Sequence, residues 1–423
     1  MTTSETHRAI EAVWRIESPR LIASLTRLVR DIGAAEDLAH DALVAALEQW
    51  PRSGIPANPG AWLMTAARRR GIDQLRRRSL VDRKHDTLTY ELDASGATAP
   101  PDLDAAMDDD IGDDLLRLMF TACHPVLATE ARVALTLRLL GGLTTEEIAR
   151  AFVVPEPTIA QRIVRAKRTL AKAQVPFEVP RGPERDARLS SVLDVLYLVF
   201  NEGYSATAGD DWVRPALCDE ALRLGRVLAG LMPDQPDVHG LVALMELQAS
   251  RLRARVGPGG EAVRLMDQNR ARWDRVLIRR GMAALRRADA LGDGRGPYAL
   301  QAAIAACHAR ASRVEDTDWD EIARLYVELA RITGSPIVRL NHAVAVAMAH
   351  GPQAGLSLVD ALAAEPALEA YHYLPAARGD LLEKLERRAE ARAEFQRAAA
   401  LTRNAREREL LLERARACEG QPR

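Results

Sequence analysis

Apolar residues recur at helical spacing along most of this chain of 423 residues. In AEDLAHDALVAALEQW (35–50), for example, Leu38, Ala42 and Ala46 share one face, while the acidic residues lie elsewhere on the helix surface. Residues 187–420 continue as a long series of amphipathic helices that are separated by Gly and Pro. Aromatic residues make up only 4% of the chain, which disfavours a β-sandwich or a barrel. The pattern predicts an all-α protein.

A loop and a basic helix follow the first helices. PRSGIPANPG (51–60) is rich in Pro and Gly, and its Asn58 and Pro59 are residue types that cap and start a helix. We expect this helix to end near residue 78, and it carries Trp62 ahead of two arginine runs, 68–70 and 76–78. An aromatic ring and cations on one helix can bind the bases and phosphates of single-stranded nucleic acid. The alternative is a core tryptophan with arginines in solvent.

A second pattern, LTTEEIARAFVVPEPTIAQRIVRAKRTL (143–170), has the spacing of a helix-turn-helix. Thr144 or Thr145 is the expected cap of the first helix, VPEP is the expected turn, and Thr158 is the expected cap of the second helix. The apolar positions that face the first helix are Ile159, Ile163 and Ala166. The polar side chains left on the outer face are Gln161, Arg162, Arg165 and Arg168, a set that suits the major groove of DNA. An ordinary helical hairpin with a basic face is the alternative.

The formal net charge of −1 hides a strong segregation of charge. Residues 62–84 hold eight Arg or Lys against two acids, and residues 158–172 hold five Arg or Lys and no acid. Between them, residues 86–114 hold ten acids and no Arg or Lys. Blocks of one sign favour nucleic-acid contact by the two basic helices and predict an acidic linker that does not fold alone.

In this order, the helices, the loop, the basic helix, the acidic linker and the helix-turn-helix resemble an RNA polymerase sigma factor. The similarity is to the extracytoplasmic-function (ECF) class of the sigma-70 superfamily and covers residues 8–173. From LSSVLDVLYLVFNEGYSA (189–206) onward, the chain resembles the sub-group with a C-terminal tetratricopeptide-like extension. The domains implied are sigma region 2 (1–80), an acidic linker (81–112), sigma region 4 (113–174) and an α-solenoid regulatory domain (187–423).

The resemblance implies a transcription initiation factor and assigns roles to particular residues. Such a factor binds the polymerase core through the β′ clamp helices and the β flap, recognises the minus-35 and minus-10 promoter elements, and opens DNA. The expected polymerase-binding residues are Glu36, Asp37, Asp41 and Gln49. The expected minus-10 DNA-binding residues are Asn58, Trp62, Thr65, Arg68 and Arg69. The expected minus-35 DNA-binding residues are Thr158, Gln161, Arg162, Arg165, Lys167 and Arg168.

The sequence departs from the family pattern at three places in the helix-turn-helix. Many relatives have Gly where this chain has Val153, Gly-Thr where it has Pro157 and Thr158, and Lys where it has Ala160. These departures leave the helix-turn-helix motif intact and lie next to the expected base contacts.

The C-terminal region shows a repeat and two charged segments. Small and large residues at Gly379, Ala391, Phe395 and Ala398 fit a tetratricopeptide repeat, whose period is about 34 residues. We expect this solenoid to regulate the sigma region or to bind a protein or peptide partner. FNEGYSA (200–206) invites comparison with a small active site, but a helix C-terminus capped by Gly203 is favoured. DQNRARWDR (267–275) alternates in charge and predicts a salt-bridged helix face.

The sequence gives little support to other classes of function. The four cysteines are scattered without a CxxC pair, so neither a metal site nor a disulfide framework is expected. We expect no cofactor, no catalytic residues and no membrane segment, and therefore a cytoplasmic protein that is not an enzyme. Two alternatives remain: a helical-repeat scaffold without transcription activity, and an enzyme with a site around Glu202 and Tyr204.

Overall fold

The structure, a computed structural model, describes the backbone of residues 3–86 and 111–419 and the side chains of residues 6–72 and 113–419. Between its turns and short 3-10 segments the described chain is α-helical, with two isolated β-bridges. The prediction of an all-α protein is confirmed. Most of the predicted acidic linker, residues 87–110, lies outside the described residues.

The chain forms two compact units, Met1–Val195 and Leu196–Arg423. None of the helices in the described ranges combines the length and the apolar character needed to cross a bilayer. In chain order the helices are α1 (Thr3–Val29), α2 (Ile32–Ser53), α3 (Pro59–Asp86), α4 (Ile111–Ala122), α5 (Thr129–Leu139), α6 (Thr145–Phe152), α7 (Glu156–Lys172), α8 (Gly182–Tyr204), α9 (Pro215–Leu231), α10 (Pro236–Ala249), α11 (Arg275–Leu291), α12 (Pro297–Arg310), α13 (Trp319–Thr333), α14 (Pro336–His350), α15 (Pro352–Ala361), α16 (Tyr373–Lys384), α17 (Arg388–Leu401) and α18 (Ala405–Ala417).

The first unit contains two helical groups that contact each other. The first helical group, α1–α3, packs around Leu21, Leu25 and Trp50, each at most 1% exposed. The second helical group, α4–α7, buries Leu118 and Phe120 to the same extent. Helix α1 also packs on α4 and α5, so the two groups form one compact body.

The first half of α8 belongs to this unit. Ser191 Oγ donates to the backbone oxygen of Cys123 at 2.6 Å, and Arg188 Nη2 donates to that of Phe120 at 2.9 Å. Both bonds satisfy carbonyl groups at the end of α4, where a helix has no internal donors left. The boundary between the two units therefore lies within α8, beyond the predicted domain gap at 175–186.

The second unit is a succession of stacked helix pairs. From α9 to α18, each helix packs against the next helix in the chain, and α12 also packs on α10. The predicted repeat positions meet at one such contact, because a Cβ on Gly379 of α16 would lie 2.8 Å from the ring of Phe395 on α17. Glycine is thus needed there for the close approach of the two helices.

Two expectations for this unit are wrong. Gly203 is not a helix cap: it lies inside α8, where a Cβ would come within 2.7 Å of the backbone nitrogen of Cys218 on α9. The segment 267–275 is not a salt-bridged helix face. It forms a 3-10 turn at Arg270–Arg272, and Arg270 and Trp273 are buried.

His308 on α12 should make the stability of the protein depend on pH. Burial, together with the nearby charges of Arg251 and Arg270, lowers the pKa of His308 from 6.5 to about 3. The unfolded chain therefore binds more protons than the folded chain between these pH values. The free energy of unfolding should fall as the pH drops below 6.5, by up to about 1.4 kcal/mol per pH unit from this group.

Urea unfolding of the full chain between pH 7 and about 5.5 measures this slope. We expect a clearly flatter pH dependence in His308→Gln. The control is His350→Gln, at a side chain that is 58% exposed, which should keep the slope of the unsubstituted protein. Equal slopes in the protein and in His308→Gln would contradict the assignment.

Candidate nucleic-acid interface

Helices α6 and α7 form the predicted helix-turn-helix. Thr144 and Glu147 make a capping box at the start of α6: the hydroxyl accepts from the Glu147 N–H at 3.1 Å, and the carboxylate accepts from the Thr144 N–H at 2.8 Å. The buried contact between the helices comes from the predicted apolar positions, Ile148 and Ala149 on α6 and Ile159, Ile163 and Ala166 on α7. This packing turns the polar face of α7 to solvent.

The outer face of α7 brings most of the expected minus-35 residues together. Thr158, Gln161, Arg165 and Arg168 are exposed, and Arg162 is half-buried. Their spacing places them on one side of a helix with 3.6 residues per turn. The result is an exposed polar face that carries three arginines and one glutamine, which are the side chains that pair with guanine and adenine.

Thr158 is not the cap of α7. The helix begins at Glu156 with Pro155 in the cap position, and the Thr158 N–H donates to the Pro155 carbonyl oxygen at 3.0 Å. Proline lacks the N–H that a first turn leaves unpaired, so Pro157 is tolerated inside it. Thr158 therefore lies in the first turn of the helix, the part of a recognition helix that contacts base edges.

Lys167 lies apart from the other five minus-35 residues. It is nine residues beyond Thr158, about two and a half turns, and so on the opposite side of α7. Its ammonium group is ion-paired with Glu36 on α2, which also accepts from Arg138 Nε of α5 at 2.7 Å. The Nη2 atom of Arg138 in turn lies 3.0 Å from the Nε2 atom of His40. A polar cluster of Glu36, His40, Arg138 and Lys167, called the Glu36 cluster below, thus joins the two helical groups.

Glu36 is the one expected polymerase-binding residue that is buried, with 5% of its surface exposed. Burial alone would raise its pKa, but Lys167 and Arg138 outweigh this effect, so the pKa lies below its ordinary value. The carboxylate is therefore charged and held inside the protein. A polymerase could reach it only after these ion pairs separate.

The outer face of α2 carries the remaining expected polymerase contacts. Asp37, Asp41 and Gln49 are exposed. Sequence reasoning missed Val44, which is 51% exposed and shares the face of Asp37 and Asp41 at helical spacing. An exposed apolar residue among acidic residues forms a surface that suits a partner helix. The sequence signal for Val44 was its position seven residues after Asp37, two helical turns along the same face.

Helix α3 carries the expected minus-10 residues at its start. Asn58 is its cap, because the side-chain oxygen accepts from the Ala61 N–H at 3.1 Å. Trp62 is half-buried, with its ring edge-on to Trp50 at a centroid distance of 5.4 Å, while Thr65 one turn later is exposed. Arg69 is exposed and Arg68 half-buried on the next turn. The Trp62 side chain is thus held against a buried ring while the residue still reaches the surface.

The turn between α6 and α7 stores backbone strain at Val153. This residue closes α6 in the left-handed region, with φ 52° and ψ 47°, and its side chain is exposed. A β-branched residue in this conformation costs roughly 1–3 kcal/mol, and glycine adopts it without strain but loses more entropy on folding. We expect Val153→Gly to raise the free energy of unfolding by about 1 kcal/mol, measured by urea denaturation.

Val154→Gly is the matched control for this prediction. Val154 is half-buried and its φ is not positive, so the same change should lower the free energy of unfolding. Destabilisation by Val153→Gly as well would show that the turn is not strained.

Comparison with known proteins identifies three matched regions along the chain. Residues 14–81 match the family Sigma-70 region 2, and residues 117–170 match the family Sigma-70, region 4. Residues 188–289 match a family of unknown function, DUF6596. The two sigma matches thus lie within the first and the second helical group, respectively.

Individual relatives are similar to this chain over different shares of its length. An uncharacterized protein of Rhizobium meliloti is 44% identical over 92% of this chain and 91% of its own length. The probable ECF RNA polymerase sigma factor SigI of Mycobacterium tuberculosis is 26% identical over 47% of this chain and 69% of its own length. The ECF RNA polymerase sigma factor SigK of Mycobacterium bovis is 28% identical over 36% of this chain and 78% of its own length.

Proposed function

We propose that this chain, whose residues 14–81 and 117–170 match regions 2 and 4 of the sigma factors, is an ECF initiation factor with a regulatory C-terminal domain and not an enzyme. It binds the polymerase core, reads a promoter through α7 and opens the DNA with the start of α3. The observation that carries this proposal is the exposed polar face of α7, with Thr158, Gln161, Arg162, Arg165 and Arg168 on one side of the second helix of a helix-turn-helix.

The polymerase contact is assigned to the outer face of α2. Asp37, Asp41 and Gln49 provide polar contacts there, and Val44 provides an apolar one. Glu36 joins this contact only if the Glu36 cluster opens. Lys167, which pairs with Glu36, would contact DNA only in the same opened form.

The minus-10 contact is assigned to Asn58, Trp62, Thr65, Arg68 and Arg69. An unpaired base stacks on Trp62, and the arginines bind the phosphates of the separated strand. Stacking on an aromatic side chain contributes roughly 1–3 kcal/mol per base, which offsets part of the energy needed to unstack the duplex. The acidic linker is assigned to the polymerase cleft, and the β flap is the expected partner of the second helical group.

The C-terminal unit is proposed to be a tetratricopeptide-like solenoid that regulates the sigma region or recruits a protein or peptide. Its stacked helix pairs and the close contact of Gly379 with Phe395 support this assignment. The site of action is the cytoplasm, where the polymerase works.

Run-off transcription tests the whole proposal. Purified bacterial core polymerase is mixed with the full chain and with DNA from upstream of its own gene. A discrete transcript that requires the protein supports the proposal and gives the start site. Absence of both a transcript and core binding would instead favour a helical-repeat scaffold without transcription activity.

A further inference from the structure

Three arginines gather around aromatic rings in the second unit. The Arg255 guanidinium carbon lies 3.8 Å from the centroid of the Tyr204 ring and 5.2 Å from that of Trp212. Arg251 lies 5.8 Å from Tyr204 and 5.6 Å from Trp273. Arg270 stands 5.1 Å from the same Trp273 ring. We call Tyr204, Trp212, Arg251, Arg255, Arg270 and Trp273 the arginine cluster.

The positive charge of the arginine cluster lacks close acidic partners. Arg251 is 7% exposed, and its partners are the side-chain oxygen of Gln248 and the Tyr204 hydroxyl. No carboxylate of the described residues lies within ion-pair distance of Arg251 or Arg255. Two buried carboxylates of the same unit form ion pairs with other arginines: Glu202 pairs with Arg214, and Glu246 pairs with Arg226.

Arg270 differs, because it is held as a structural cation. It donates to the carbonyl oxygens of His308 and Ala311, at 2.8 and 2.7 Å, and to the Thr317 hydroxyl at 3.0 Å. Asp316 favours its charged form from a longer distance. It therefore adds positive potential behind Arg251 without being available to a ligand.

The positive potential shifts the pKa values of neighbouring groups. Burial lowers the pKa of Arg251, and the charge of Arg255 opposes its charged form as well. His308 is kept neutral by burial and by Arg251 and Arg270. Repulsion among like charges at low dielectric is costly, and an opposite charge would relieve it.

One side of the arginine cluster is open to solvent. Tyr204, Trp212 and Arg255 are half-buried, whereas Arg251, Arg270 and Trp273 lie beneath them. The Nε atom of Arg255 and the indole nitrogen of Trp212 are buried without hydrogen-bond partners. Two buried donors without partners and an aromatic wall thus belong to the half-buried surface around Arg255.

We propose that Arg255 and Arg251, with Tyr204 and Trp212, form a binding site for a small organic oxyanion. The carboxylate or phosphate group pairs with the guanidinium groups, whose planar donors match oxyanions in two-point contact. Tyr204 holds the Arg255 guanidinium group in place, and the apolar part of the ligand packs on Trp212. This site requires no polymerase or DNA, so it stands apart from the proposed function.

Titration calorimetry on the full chain tests the site with phenyl phosphate, benzoate and inorganic phosphate. We expect saturable binding of at least one of the two aromatic anions, and their relative affinity separates a phosphate from a carboxylate ligand. In Arg255→Met the affinity should fall by about tenfold or more, because a charge-assisted hydrogen bond is lost. Arg253→Met is the matched control, since Arg253 is exposed and belongs to the same short turn, and its affinity should stay within about twofold.

Thermal unfolding without ligand provides a second measurement. Arg255→Met keeps an apolar side chain on Tyr204 and removes the repulsion of Arg251, so its unfolding temperature should equal or exceed that of the unchanged protein. A lowered unfolding temperature together with no saturable binding of either aromatic anion would identify Arg255 as a structural cation and overturn the proposal. Binding that is equally strong in Arg255→Met would overturn it as well.

Discussion

Reversing the charge of Arg162 and Arg165 together, to Glu, should abolish promoter-dependent transcription with the full chain. Both side chains lie on the outer face of α7, and an arginine that pairs with guanine contributes roughly 1–3 kcal/mol to discrimination. Glutamate removes these contacts and adds repulsion from the phosphates. We expect run-off transcript to fall by about 100-fold or more, with binding to core polymerase unchanged.

The control is the same reversal at Arg279 and Arg286, two exposed arginines on α11 of the second unit. It changes net charge equally but should leave the transcript within about twofold, because scattered surface charges contribute little. If both double variants lose transcription equally, a general electrostatic effect replaces direct reading by α7. If neither does, α7 is not the recognition helix.

Trp62→Ala should block DNA opening more than DNA binding. Loss of one stacking platform costs roughly 1–3 kcal/mol, which corresponds to about a fivefold to 150-fold drop in open complex. Permanganate reactivity of unpaired thymines on a promoter fragment measures the opening. A promoter with a mismatched, already opened minus-10 segment should restore much of the activity, because the cost of unstacking is then removed.

Trp14→Ala serves as the matched control for Trp62. Trp14 is also half-buried in the first helical group and contacts a ring, that of His40, at 5.4 Å. Both variants should lose similar stability, so a defect in opening that occurs only in Trp62→Ala points to base capture. Since Trp62 also packs on Trp50, Trp62→Phe should retain stability and part of the opening.

Local signals in the sequence predicted local structure well. Asn58 and Thr144 cap the helices expected of them, because capping depends on a side chain and on backbone within three residues. The buried face of α7 follows from helical spacing alone. Thr158 failed as a cap because two prolines nearby, Pro155 and Pro157, also fit the start of a helix, and the helix began earlier.

Features set by distant partners were not predictable from the sequence. Glu36 looked like its neighbours Asp37 and Asp41, and its burial depends on Arg138 and Lys167, which lie more than a hundred residues away. Arg270 looked like a surface arginine in a segment of alternating charge. Its burial depends on backbone oxygens of α12 and of the turn that follows.

The contacts of helix α8 limit where the chain can be truncated without disrupting the first unit. A fragment that ends near residue 178, after the helix-turn-helix, would lack Arg188 and Ser191 and leave the carbonyl groups at the end of α4 without these donors. Inactivity of such a fragment would report a damaged second helical group rather than the loss of a regulatory domain. Because helix α8 begins in the first unit and ends in the second, the chain cannot be cut before this helix without removing residues that the first unit uses.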